Sequence, residues 1–192
     1  MILKMLNNLF GKPEKTGLDN FVTSLDSEIR NFKTVFDVGA YQGNFIGEIL
    51  SINPSINIHA FEPFAASYEF VNKKFSHLNN VKVNHAAVSD MPGKALLNVN
   101  AFKETNSLLD SSTVNETIDE LTKHQSTEAV EVIQLDEYCK AQGLDYIDLI
   151  KIDTQGNSYN VLKGMETLLA EKKIKYLYVE AEFVEIYKNE KL

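Results

Sequence analysis

The chain has no tryptophan, a single cysteine and four prolines among its 192 residues. With one thiol, Cys139 can close no internal disulfide and can offer no thiolate cluster to a metal, which agrees with a reducing compartment. It reads as a small buried hydrophobe. No apolar run approaches the roughly 20 residues that cross a bilayer. The most apolar end, residues 1–10, is interrupted by lysine and asparagine and is expected to be a docking helix of a cytoplasmic protein without a membrane span. Positive charge is also scarce. Lys and Arg number 19 against 27 Asp and Glu, a net charge of −8, and no basic stripe could neutralise a phosphate backbone, so no nucleic-acid partner is expected. Nor does any pair of histidines or carboxylates have metal-ligand spacing, although Asp145, Asp148 and Asp153 cluster, so no metal is expected.

Without low-complexity tracts, and with 44% hydrophobic and 24% charged residues, the composition is that of a globular protein. The length fits one domain: a helical segment at 1–33 followed by the main domain at 34–192. Leu18, Phe21, Val22, Leu25 and Ile29 recur at helical spacing, and Thr34–Val38 reads as a short buried strand. A glycine turn at 39–43 leads into a helix carrying Phe45, Ile46, Ile49 and Leu50. A second strand ends at Glu62-Pro63, before a helix with Tyr68, Val71 and Phe75 on one face. Residues 81–88 read as a third strand, and the Met91-Pro92-Gly93 turn before alternating Ala95, Leu97 and Val99 suggests a hairpin. The polar stretch 100–127 is a candidate lid with a weak helix around Val114, Ile118 and Leu121. A strand at 130–135, a helix capped by Asp136 and ended by Gly143, a strand at 146–153, a helix through Leu169 and a strand at 176–181 follow. This alternation predicts an α/β fold with a doubly wound, mostly parallel sheet, whose ligands bind beyond the carboxyl ends of the strands.

Asp37, Glu62, His85 and Asp153 all lie near such ends. In Asp37-Val38-Gly39-Ala40-Tyr41-Gln42-Gly43 the glycines let backbone approach a ligand, and an acid stands beside them. A nicotinamide dinucleotide would place a pyrophosphate there against Asp37, and the full G-x-G-x-x-G spacing is absent. S-adenosylmethionine has no phosphate and two cationic centres, so Asp37 favours it by charge, directly or through water. Glu62, 19 residues after Gly43, can accept both hydroxyls of a ribose. The alternative for both acids is helix capping.

Together with Phe61-Glu62-Pro63, Ala87-Val88-Ser89-Asp90, Thr105-Asn106-Ser107-Leu108, Gln134-Leu135-Asp136-Glu137 and Ile150-Lys151-Ile152-Asp153-Thr154-Gln155-Gly156, this turn resembles the FkbM-type methyltransferases, class I S-adenosylmethionine-dependent enzymes. The resemblance spans residues 32–182. It implies a seven-stranded Rossmann-like sheet, S-adenosylmethionine as donor and O-methylation of a sugar or secondary metabolite. It would put Asp37, Gly39 and Gly43, with Ala40 and Tyr41 in the same turn, by the methionine moiety, and Glu62 by the ribose. Ala87 and Asp90 would lie near the adenine, and Asp153 would face the transferred methyl. Two features depart from the family pattern: Gln155 stands where an acid is usual, and the 12 residues after Glu180 are too few for the closing helix and C-terminal hairpin.

Methyl transfer to a hydroxyl requires a proton acceptor, for which Asp153 is the first candidate and His85 the second. Ser107 and Asn106 could hydrogen-bond an acceptor from the lid. Lys151 shares a strand face with Leu149 and Asp153, and a buried lysine requires an anion. One or both of Asp37 and Glu180, on the flanking strands, are its expected partners. The acceptor would be a small molecule or glycan, and homo-oligomerisation is left open. Competing functions are a non-catalytic S-adenosylmethionine-binding module and a nicotinamide-dependent oxidoreductase.

Overall fold

The computed structural model describes residues 17–191; the docking helix expected at 1–10 lies outside them. The first apolar stripe is carried by two short helices, α1 (Gly17–Ser24) and α2 (Asp26–Ile29). Strand β1 (Thr34–Val38) is buried along its whole length, as a strand covered on both faces must be. It feeds α3 (Asn44–Ile52), and β2 (Asn57–Phe61) feeds α4 (Ala65–Phe75). After β3 (Val81–Asn84) the chain reaches the sheet again only at β7 (Ile147–Ile152) and, through helices α7 (Ser158–Lys163) and α8 (Glu166–Ala170), at β8 (Ile174–Val179).

These strands form a five-stranded sheet in the order β3-β2-β1-β7-β8, and every pairing is parallel. The chain winds outward from β1 to β3 and then resumes on the other side of β1 at β7. The strand order therefore reverses between β1 and β7, where an open α/β sheet leaves a crevice for ligands. Side-chain alternation divides the core into two layers. Val35, Ile58 and Leu149 pack under α1, α2 and α3, while Phe36, Val38, Ile150 and Ile152 pack against α6 (Leu135–Gln142), α7 and α8.

Several sequence expectations are corrected. Residues 81–88 are not one strand: β3 ends at Asn84, and β4 (Ala87–Val88) belongs to a separate three-stranded sheet in the order β4-β6-β5. The turn at residues 91–93 closes no hairpin between neighbours, because β6 (His124–Ile133) lies between β4 and β5 (Gly93–Asn100). The five strands of the main sheet, among the described residues, agree with the expected sheet lacking the C-terminal hairpin. Asp136 does not cap its own helix; its carboxylate accepts the amides of Thr167 and Leu168 and so caps α8. The lid at 100–127 contains a 3₁₀ turn (Lys103–Thr105) and helix α5 (Glu116–Leu121), whose N-cap Asn115 accepts from the Ile118 amide. No helix among the described residues is long and apolar enough to cross a membrane.

Asn53, buried at the end of α3, ties the helical layer to the sheet. Its Nδ2 donates to the carbonyls of Ile29 and Phe32 (3.0 and 3.1 Å), and its Oδ1 accepts from the Ser55 amide and hydroxyl. Replacing it removes the side-chain donor from two buried carbonyls, of which Ile29 O keeps the Phe32 amide, so Asn53→Ala should cost about 2 kcal/mol in urea denaturation. Asn57→Ala, which removes one exposed bond to Lys33 O, should cost well under half of that. Equal losses would refute the anchoring role of Asn53.

Candidate active site

The turn after β1 is built from left-handed backbone at Gly39 (φ 82°), Tyr41 (φ 46°) and Gly43 (φ 69°). Gly39 tolerates no side chain, since a Cβ there would sit 1.9 Å from the Asp153 carbonyl oxygen. The ends of β1 and β7 are thus in backbone contact. The Gly39 and Ala40 amides donate to Phe61 O (3.0 and 3.1 Å), which binds the turn to β2 as well. Glu62 completes this attachment: Oε2 accepts from the Tyr41 amide (2.7 Å) and Oε1 from the Phe64 amide (3.0 Å). A carboxylate has about four lone-pair positions, so each oxygen keeps one. Glu62 is only 6% exposed, and this burial pushes its carboxyl up to about 7, against the opposing pull of the two amides. The Tyr41 phenol lies beside Glu104 of the lid; burial raises its pKa first and Glu104 adds to the rise.

Beneath the turn lies Lys151. Its ammonium is 3.1 Å from Asp37 Oδ1 and 3.8 Å from Asp153 Oδ2, and it donates to Gly39 O at 2.7 Å. Register explains the meeting, because Asp37 and Lys151 are direct partners across β1 and β7 and point to the same face. Burial pulls the two groups in opposite senses, raising Asp37 while opposing charge on Lys151, but two carboxylates and a carbonyl converge on one ammonium. We assign the pair its charged form, with Lys151 held above the usual lysine range.

Beyond Lys151 the polar residues continue toward β8. Asp153 accepts from Gln155 Nε2 at 2.5 Å, and the same nitrogen donates to Glu180 Oε2 at 3.2 Å. Burial disfavours the Asp153 anion, but Lys151 and hydrogen bonds from Glu180 and Gln155 outweigh it and hold the carboxyl below its usual range. Glu180 moves the other way, to about 7, first by burial and then by the Asp153 charge. Neighbouring acids driven apart in this way differ in protonation near neutral pH. The side chain of Asp153 remains 25% exposed, so a ligand can reach it.

The other predicted residues are dispersed. His85 is exposed; its Nε2 donates to Pro63 O (3.0 Å) and its ring stacks on Tyr68 at 4.5 Å. Ala87 is buried in the small sheet's core, against which Phe64 packs. Asp90 is paired with Lys163 at 2.6 Å, at the far end of α7 from Asp153. Ser107 donates to Gln155 O (2.6 Å), which joins lid to site, and Asn106 Oδ1 accepts from the Asn100 amide. Sequence reasoning missed Tyr187, fully buried with its hydroxyl 3.1 Å from Gln155 Oε1; a lone tyrosine in a segment without periodicity gives no signal. No group of three or more His, Cys, Asp or Glu among the described residues could hold a metal ion.

A family model described as the methyltransferase FkbM domain matches residues 37–192. The chain belongs to this family. The FkbM match thus begins at the acid paired with Lys151 and includes the turn, the lid and the segment carrying Tyr187. The chain is 25% identical over 167 residues to the 2-O-methyltransferase NoeI of Sinorhizobium fredii (strain NBRC 101917 / NGR234). That alignment covers 81% of this chain and 66% of NoeI, just under two thirds of the relative's length. Among solved structures, the plantazolicin methyltransferase BpumL in complex with SAH is 15% identical, with a TM-score of 0.42 over 93% of this chain and 51% of that one. BpumL with a monoazolic desmethylPZN analog and SAH gives 13% identity and a TM-score of 0.44 over the same shares. The fold assignment rests on the strand order itself.

Two outcomes follow for the FkbM domain. Lys151→Met should destabilise it by about 3–5 kcal/mol in urea denaturation, because a buried carboxylate loses its cation. Adding Asp37→Asn to that variant should restore part of the loss, and a double variant no more stable than Lys151→Met would exclude the pairing as the cause. The second outcome concerns pH. Glu62 titrates near 4.5 when unfolded and about 7 when folded, so the native state holds its proton more tightly. Its contribution is complete below pH 4.5 and is lost as the pH rises through 7, a change of about 3 kcal/mol for this buried group. The melting temperature should fall between pH 5 and pH 8, and Glu62→Gln should flatten that fall; an unchanged slope in the variant would show that Glu62 titrates normally.

Proposed function

We propose that the chain binds S-adenosylmethionine over the turn between β1 and α3 and methylates a hydroxyl on a small molecule or glycan, a sugar or secondary metabolite. The observation that carries this reading is the Glu62 carboxylate. It sits at the end of β2, is fixed by the Tyr41 and Phe64 amides, and keeps one lone pair on each oxygen for the two hydroxyls of a ribose. Membership of the FkbM family supports the donor, and a relative named as a 2-O-methyltransferase supports oxygen as the atom methylated.

The residues present fit the cofactor. Helix α3 begins at Gly43 without a side-chain cap, so its first amides are available to the methionine carboxylate, and Gly39, Ala40, Tyr41 and Gly43 form the surface under that moiety. Ala87 and Phe64 make an apolar wall on the adenine side. Asp37 is assigned a role beneath the turn. Fully buried and paired with Lys151, it holds the ammonium that fixes the Gly39 carbonyl, and so shapes the turn from below. Asp90, engaged by Lys163, and His85, engaged by Pro63 and Tyr68, are given structural roles here.

S-adenosylmethionine supplies a methyl group on a sulfonium that an oxygen nucleophile can displace in line. The chain's contribution is to hold the acceptor oxygen near attack distance, exclude water and accept a proton. Asp153 is the proton acceptor, ionised by Lys151 and accessible at the crevice between β1 and β7. The lid and the segment after β8 close over it through Ser107 and Tyr187. The single buried thiol and the lack of a membrane-crossing helix among the described residues suit a cytoplasmic location.

Calorimetric titration of S-adenosylmethionine tests the reading. The unmodified chain should bind it and not NADH, and Glu62→Ala should weaken binding at least tenfold, as two hydrogen bonds to a charged group require. Equal affinity in the variant would remove Glu62 from the cofactor site. Binding of NADH in place of S-adenosylmethionine would overturn the assignment as a methyltransferase.

A further inference from the structure

The segment after β8 returns across the crevice in a defined path. Ser112 N donates to Ile186 O and Lys188 N to Asp110 O, both at 2.8 Å, so residues 186–188 lie along the lid. Glu190 Oε1 accepts the amides of Ile186 and Tyr187, which closes the segment into a turn. Tyr187 enters the interior from this turn. Its ring packs so closely on Gly156 that a Cβ there would meet its Cδ2 at 2.8 Å, and its hydroxyl is 3.1 Å from both Thr105 O and Gln155 Oε1.

The amide of Gln155 can be placed in two ways, related by rotation about its last torsion, and only its surroundings choose between them. The Asp153 anion takes Nε2–H, which Glu180 also accepts, and this leaves Oε1 facing the Tyr187 hydroxyl, whose one proton lies 3.1 Å oxygen-to-oxygen from both Oε1 and Thr105 O. The reverse placement would set an amide oxygen against the Asp153 anion. The backbone is fixed as well, because Gln155 has a left-handed φ of 51° and its carbonyl accepts from Ser107. We propose that Tyr187 is a positioning residue, whose hydroxyl fixes the Gln155 amide so that its N–H groups face Asp153 and Glu180 and keep Asp153 ionised to accept a proton. The proposal rests on reading Asp153 as that acceptor, but its test needs neither cofactor nor methyl acceptor.

Other charged groups face the same acids. Lys151 and Asp37 approach from β7 and β1, Tyr178 from β8, and Glu182, Tyr187 and Glu190 from the segment after it. All but Tyr187 are retained in the test, which follows the carboxyl carbons of Asp153 and Glu180 by ¹³C NMR from pH 4 to pH 9. Losing N–H donors to the anions should raise the titration midpoints. Tyr187→Phe, which keeps the ring, should raise them by about half a unit or more. Gln155→Met should raise them further, and the double variant should match Gln155→Met alone, because Tyr187 acts through the amide. Midpoints in Tyr187→Phe identical to the unmodified chain, or a double variant equal to the sum of the single effects, would overturn the proposal. Should Tyr187→Phe not fold, Gln155→Met decides alone: a raised midpoint supports the amide's role, and an unmoved one overturns it. A failure here leaves the binding of S-adenosylmethionine standing, since that is measured separately through Glu62.

Discussion

The buried ammonium of Lys151 is the constraint on which the site depends. An isolated charge of this kind would be expelled or neutralised, so its presence inside an α/β sheet requires carboxylates at fixed positions. The parallel order meets that requirement, setting Asp37 directly across from Lys151 on β1 and Asp153 two residues beyond Lys151, just past the end of β7. The same ammonium donates to the Gly39 carbonyl. One cation therefore fixes the start of the glycine turn, the end of β7 and the ionisation of the acid that faces the crevice. Slipping β7 by one residue would turn Lys151 into the apolar layer of Phe36 and Ile150 and leave both acids unpaired.

Around this point the acids are differentiated by their neighbours. Asp153, beside Lys151 and two hydrogen-bond donors, is driven toward its anion, whereas Glu180 and Glu62 are driven by burial toward values near neutrality. Residues of one chemical type are thereby held in different protonation regimes within one crevice. Glu62 is held by amides on either side of the β2 terminus and has capacity for further donors, which suits recognition. Asp153 is charged and partly open, which suits proton transfer.

Much of this is legible in the amino-acid sequence, and the reasons are physical. Strands β1, β2, β7 and β8 are buried or half-buried elements flanked by turn residues, so periodicity and punctuation locate them. Lys151 stood out because alternation put a cation on a buried face, and its pairing with Asp37 follows from strand order. Three features were hidden. The break at His85 and Ala86, where β4 leaves the main sheet, is set by pairing with β6, more than forty residues later, and leaves no local mark. Asp136 has the position of a helix cap, but the amides it serves are those of Thr167 and Leu168, brought near only by the packing of α6 on α8. Gln155 registered only as a departure from an expected acid, since its meaning depends on Tyr187, 32 residues away in sequence.

The location of these hidden features is itself informative. The strands and the glycine turn are specified by short-range patterns, and they carry the groups assigned to the cofactor. The lid and the segment after β8 are specified by long-range hydrogen bonds, and they meet at Gln155 through Ser107 and Tyr187. A carbonyl accepting from one element and a side-chain amide accepting from another make Gln155 the point where closure of the crevice is linked to the state of Asp153. If either covering element shifted, the amide would lose its alignment while the bonds of Glu62 to the Tyr41 and Phe64 amides and of the turn to β2 and Lys151 stayed in place. Under the proposed assignment, the cofactor turn and the proton acceptor share Lys151 beneath them, and the acceptor draws on the cover through Gln155 as well.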